Sequence, residues 1–156
     1  MTDHIEAGVM LPVAPDHAFG MLTAGLATWW PTPYSWGPDV LAAHELEPHE
    51  GGRIAEVSVH GNRWDWGRIT TWDPPHRVVF DWQIGPDRVP TPDPAACSEV
   101  EWRVEAHGDA SRVTVIHRGF DVYGEDGADY RAALATEQGW SFILGCLRAS
   151  AEGDVT

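Results

Sequence analysis

Glu99-Val100-Glu101-Trp102-Arg103-Val104-Glu105 is the stretch that decides the fold. Val100, Trp102 and Val104 fall on one side of an extended chain, and Glu99, Glu101, Arg103 and Glu105 on the other. That is the signature of a strand with one dry and one wet face. Downstream, His107-Gly108-Asp109 reads as a turn into a second strand, Arg112 to Phe120. Upstream, Arg77 to Trp82 sets Val78, Phe80 and Trp82 against Arg77 and Asp81. Further back, Arg53 to Val59 turns through His60-Gly61-Asn62 into Arg63 to Trp72, a hairpin. His44 to Glu47 is a short candidate strand, and Ile5 to Leu11 opens the chain as another.

Helical patterns flank this meander. Pro15-Asp16 starts one helix, with proline at a permitted position and an acid near the positive helix end, and Thr23 to Trp30 reads as a second short one. Asp126 to Ala149 carries the only long pattern, a stripe of Ala133, Thr136, Trp140, Ile143, Leu144 and Leu147. Gly139 costs about 1 kcal/mol against alanine in a helix, so the sequence predicts a close helix-to-sheet contact there. The expected architecture is α+β: a helix-grip fold in which a seven-stranded curved antiparallel sheet, two short helices and a long C-terminal helix enclose a cavity. With 156 residues against roughly 150 for a typical domain, residues 1–156 are expected to form one domain.

Composition narrows the function classes. Ten basic residues against 24 acidic give a net charge of −14, and every basic residue is arginine. An acidic surface repels phosphate backbones and anionic headgroups, so neither nucleic acid nor membrane is an expected partner. Without lysine there is no Schiff-base or pyridoxal chemistry and no P-loop. Cys97 and Cys146 read as thiols in a reducing compartment, and no signal-peptide pattern or apolar run of membrane length appears, so a cytoplasmic location is expected. The eight histidines lack ligand spacing beside a carboxylate, so no metal and no cofactor is expected. Two proline-rich segments, Pro31 to Asp39 and Gly85 to Ala96, read as loops.

A set of motifs in register resembles a known family. It comprises Phe19, Leu22-Thr23 and Trp29-Trp30-Pro31; Glu50-Gly51-Gly52-Arg53 with Glu56; and Trp66-Gly67-Arg68-Ile69 leading to Trp72-Asp73-Pro74-Pro75-His76-Arg77-Val78-Val79-Phe80-Asp81-Trp82. His117-Arg118-Gly119-Phe120 and Gly139-Trp140 complete it. In order and spacing these resemble the SRPBCC superfamily, in the branch named after the activator of heat-shock-protein-90 ATPase, from about residue 5 to about residue 148. The resemblance implies a START-like, birch-pollen-allergen-like fold that hosts lipid carriers, polyketide aromatase/cyclases, resistance proteins and co-chaperone domains.

Nine tryptophans are a very large aromatic load for this length. Trp82, Trp102 and Trp140 occupy core positions, while Trp29, Trp30 and Trp36 flank the first proline-rich segment and suggest a cavity mouth. Trp64, Trp66 and Trp72 share strand parity with Arg68, an awkward mixture for one face unless the guanidinium stacks on a ring. His117 shares parity with Val113 and Val115. It is either an acid/base or hydrogen-bonding group for a ligand, or a buried histidine satisfied by the gripping helix. Arg53, in parity with Ala55, Val57 and Val59, is read as pointing inward. There it needs a carboxylate partner or an anionic ligand, unless it is an ion pair at the strand end.

The first functional expectation is a binding protein for a small apolar or aromatic molecule. Trp30, Trp66, Trp82, Trp140 and Phe142 would be its walls, with His117 and Arg53 as polar anchors. The second is a cyclase, hydrolase or resistance enzyme of a biosynthetic pathway with His117 as the catalytic acid/base. The third, implied by the branch name alone, is a regulator of a chaperone ATPase. A homodimer is compatible with all three.

Overall fold

The computed structural model describes residues 4–31, 41–87, 91 and 93–154. The strands are β1 (Ile5–Leu11), β2 (Leu41–Leu46), β3 (Arg53–Ser58), β4 (Arg63–Asp73), β5 (Arg77–Trp82), β6 (Ser98–His107) and β7 (Ala110–Arg118). They form one antiparallel sheet in the order β1-β7-β6-β5-β4-β3-β2. Six strands follow one another as a meander, and β1 closes onto the last of them. In between, the chain crosses the inner face through α1 (Pro15–Leu22) and a 3₁₀ turn, Leu26–Thr28. The helix-grip arrangement read from the sequence is the one observed.

Strands β5, β6 and β7 pair without interruption, so simple alternation holds there: Phe80 faces Val100, and Val100 faces His117. Strand β4 breaks the rule twice. Opposite β3, Ile54 pairs with Gly67 but Ala55 with Asp65, which leaves Trp66 as an extra residue. Opposite β5, Ile69 pairs with Phe80 but Thr71 with Val79, which leaves Thr70 extra. Each β-bulge shifts the pleat by one residue. Trp64, Trp66 and Trp72 therefore face inward while Arg68 faces out beside Asp81, and the awkward mixture disappears. Gly67 lies at the first bulge because a Cβ there would press within 3.1 Å of both Ile54 and Phe80.

The inward reading of Arg53 is corrected by the same geometry. In β3 the inner parity is Ile54, Glu56 and Ser58, all buried, whereas Val59 is 65 % exposed. Arg53 lies on the outer face, where Glu47, Asp65, Arg63 and Glu45 continue an exposed chain of ion pairs from it.

The long C-terminal helix is also corrected. It is three pieces: a 3₁₀ stretch, Phe120–Asp126, then α2 (Gly127–Leu134), then α3 (Trp140–Asp154). The chain folds back so tightly between α2 and α3 that a Cβ on Gly139 would run into the Leu134 carbonyl. This glycine serves a helix break, not a helix-to-sheet contact. Ala133 and Thr136 are exposed, and the buried stripe begins at Trp140 and continues through Ile143, Leu144, Leu147 and Ala151. The expected helix over Thr23 to Trp30 contracts to the 3₁₀ turn, held by bonds from Thr23 Oγ1 to the Phe19 carbonyl and from Trp29 Nε1 to that of Met21. Among the described residues no helix is long and apolar enough to cross a membrane.

Candidate functional site

Two histidines face the interior from different strands. His117, on β7, is fully buried. Trp140 Nε1 donates to its Nδ1 at 3.0 Å. An indole N–H can only donate, so Nδ1 carries the lone pair and Nε2 carries the proton. Nε2 is 2.7 Å from Ser98 Oγ, which itself lies 2.8 Å from the Tyr123 hydroxyl. Nearby, Trp82 Nε1 donates to the Tyr130 hydroxyl, and that hydroxyl donates to the Ile84 carbonyl. Burial pushes the His117 pKa down to about 3. With both nitrogens engaged and the ring held neutral, His117 ties α3 and the 3₁₀ stretch to the sheet. Of the two readings of His117 that the sequence leaves open, this geometry is that of a buried histidine bonded from the gripping helix.

His44, on β2, is the opposite case. It is 9 % exposed, and neither ring nitrogen has a hydrogen-bond partner among the described residues. Cross-strand pairing places it beside Glu56, which is itself buried and lies opposite Trp64. Burial lowers the His44 pKa, and the Glu56 charge partly opposes that shift. Sequence reasoning passed over this pair. A single histidine at the start of a short strand has no periodic signal, and Glu56 stood out only as part of the Glu50-Gly51-Gly52-Arg53 motif.

Between the two histidines runs a wall of rings. Trp30 stacks on Trp66 with centroids 4.7 Å apart, and Trp30 also meets Trp140 at 6.5 Å and His44 at 6.3 Å. Trp66 continues to Trp82 at 5.8 Å, and Trp82 to Trp140 at 5.4 Å and His117 at 5.2 Å. Of the residues singled out from sequence, Trp30, Trp66, Trp82, Trp140 and His117 thus come together. Arg53 and Phe142 do not. Phe142 is 41 % exposed because it falls two residues from Trp140, off the buried stripe of α3. Trp29 is buried against Trp30 and Trp102, whereas Trp36 and most of the first proline-rich segment lie outside the described residues.

All four indoles of the wall, Trp30, Trp66, Trp82 and Trp140, are buried. The α3 helix packs on β1 and α1, whereas the 3₁₀ turn beside Trp29 and Trp30 packs on β2. A separate cleft of about 250 Å³ opens between β1 and the α2–α3 junction, lined by Ile5, Ala7, Arg131, Leu134, Trp140 and Ser141 among others. It meets the wall only at Trp140.

Residues 13–152 match the family described as activator of Hsp90 ATPase homolog 1-like protein. The chain belongs to this family. No curated protein matches it in sequence. Among solved structures, this member of the family is similar to the anthrahydroquino-γ-pyrone synthase Txn09, complexed with SUM. Identity to Txn09 is 28 %, the TM-score is 0.66, and 96 % of this chain and 99 % of that chain are covered. The fold is shared with CalC, a self-sacrificing resistance protein from Micromonospora echinospora, at 24 % identity and a TM-score of 0.65, over 97 % and 95 % of the two chains. It is also shared with protein NE0264 from Nitrosomonas europaea, at 14 % identity and a TM-score of 0.68, over 97 % and 95 %.

Proposed function

We propose that this chain binds a small planar aromatic molecule of a biosynthetic pathway on the inner face of its sheet, against Trp30 and Trp66. The observation that carries the reading is the composition of that face at β2 to β4. Stacked, buried indoles form its apolar part, and beside them lies a buried imidazole with nothing bonded to either nitrogen among the described residues. Buried polar groups in folded proteins are nearly always paired, so an unpaired one beside an aromatic wall marks a place where a partner arrives from outside. The likeness to an anthrahydroquino-γ-pyrone synthase, along nearly the full length of both chains, supports an aromatic ligand.

Titration of tryptophan fluorescence with planar polycyclic ketones and, separately, with fatty acids tests this. Saturable quenching by the polycycles is expected, and Trp30→Ala should weaken it about tenfold, in line with the loss of one aromatic stacking contact. Tighter binding of the fatty acids, or no quenching by either class, overturns the reading. The same likeness favours turnover as a second reading: a ring-closing step on the bound molecule, tested by incubating the protein with a linear poly-β-ketone and following product absorbance.

A further inference from the structure

We propose that His44, backed by Glu56, is the proton acceptor for a phenolic or enolic hydroxyl of the bound molecule. The proposal rests on the ligand-binding reading above and adds to it the chemical class of the ligand's polar group. Among the described residues, the two His44 ring nitrogens are the only buried side-chain nitrogen or oxygen atoms without a hydrogen-bond partner. Leaving such atoms unsatisfied costs stability, and a phenylalanine of similar shape would avoid it. A fold that keeps the imidazole has a use for it at this position.

The neighbours decide which use. The ring lies edge-on to Trp30 and Trp66, with interplanar angles of 65° and 88°, so a flat molecule against the indoles presents its edge to the imidazole. Burial favours the neutral ring, in which one nitrogen has an open lone pair. A ligand carboxylate would be repelled by Glu56 across the strand pair, and a ketone alone would leave the lone pair unused. A hydroxyl on an aromatic ring, or the enol of a β-diketone, satisfies it. Transfer breaks the ligand O–H bond and forms an N–H bond on the ring. The electron pair stays on the ligand oxygen, and the new imidazolium sits beside the Glu56 carboxylate. The net charge of the complex is unchanged. On an enol the same step yields an enolate whose carbon is a nucleophile, which is the activation a ring closure needs.

The test uses the full chain with 2-hydroxyanthraquinone and its methyl ether, at a pH where the free dye is un-ionised. Tryptophan quenching reads binding, and the visible band of the dye reads ionisation. The expected result is that the hydroxyl dye binds about tenfold tighter than the ether, as a charge-assisted hydrogen bond provides, and that its band moves to that of the anion. His44→Phe should bind both dyes equally with no band shift, and Glu56→Gln should bind the hydroxyl dye with a diminished shift. Quenching without a shift in the wild type, or a shift that survives in His44→Phe, overturns the proposal and leaves the binding reading standing. If neither dye quenches any tryptophan, both fall. Thermal melts guard against a folding artefact, because His44→Phe is expected to melt higher than the wild type, whereas a histidine with a structural role would melt lower on replacement.

Discussion

His117 and His44 are both buried histidines on the inner face of one sheet, and they differ most in their partners. Around His117 the fold supplies a donor for one nitrogen and an acceptor for the other. Around His44 the described residues supply neither. The β7 end of the wall is thus closed by its own side chains, and the β2 end is left chemically incomplete. A paired ring contributes stability and an unpaired buried one costs it, so replacing the two rings should have opposite signs.

The largest effect should come from breaking the closed end. Trp140→Ala removes a fully buried ring and the donor to His117 Nδ1, and should cost about 3–5 kcal/mol in chemical denaturation. Trp140→Phe keeps most of the packing but leaves that nitrogen unsatisfied, at about 1–3 kcal/mol. Acid sharpens the contrast next. His117 has a folded pKa of about 3, below its ordinary 6.5, so between those values the unfolded chain holds a proton that the native chain does not. The stability from neutral His117 is therefore complete above about pH 6.5 and is lost toward about pH 3, at about 1.4 kcal/mol per pH unit. His117→Gln keeps a donor and an acceptor without titrating, and urea melts between about pH 4 and pH 6 should show a slope reduced by that amount.

At the open end the sign reverses. His44→Phe should stabilise the protein by about 1–2 kcal/mol while loosening a hydroxylated aromatic ligand; a fall in melting temperature would erase the distinction between the two sites. The smallest effect is expected on the outer face. Arg53→Ala, which removes only exposed ion pairs, should leave both the melt and ligand binding unchanged within error.

How much of this was legible depended on whether a strand keeps its register. Val78, Phe80 and Trp82, then Val100, Trp102 and Val104, then Val113, Val115 and His117 were assigned to the right face from parity alone, because β5 to β7 pair without a bulge. Parity failed at Arg53 and Arg68. In β3 the residues that look polar, Glu56 and Ser58, are the buried set, and in β4 the two extra residues invert the pattern twice. The gripping helix was found, but not its break, since the clash between Gly139 and Leu134 is a meeting of backbones that no residue type announces. The tryptophan wall was visible as a count and became a surface only when Trp30 and Trp66 were seen to stack. His44 was invisible for a deeper reason: its character lies in what fails to surround it.

The extra residues of β4 make that strand unusually forgiving of one kind of genetic change. Loss of a single codon from a regular strand moves every residue on one side of the deletion to the opposite face of the sheet. Loss of the codon for Thr70 should not, because Ile69 and Thr71 already lie opposite Phe80 and Val79, and joining them restores an unbroken ladder with Trp72 still opposite Val78. Point substitutions at Thr70, an exposed position, should be nearly silent as well.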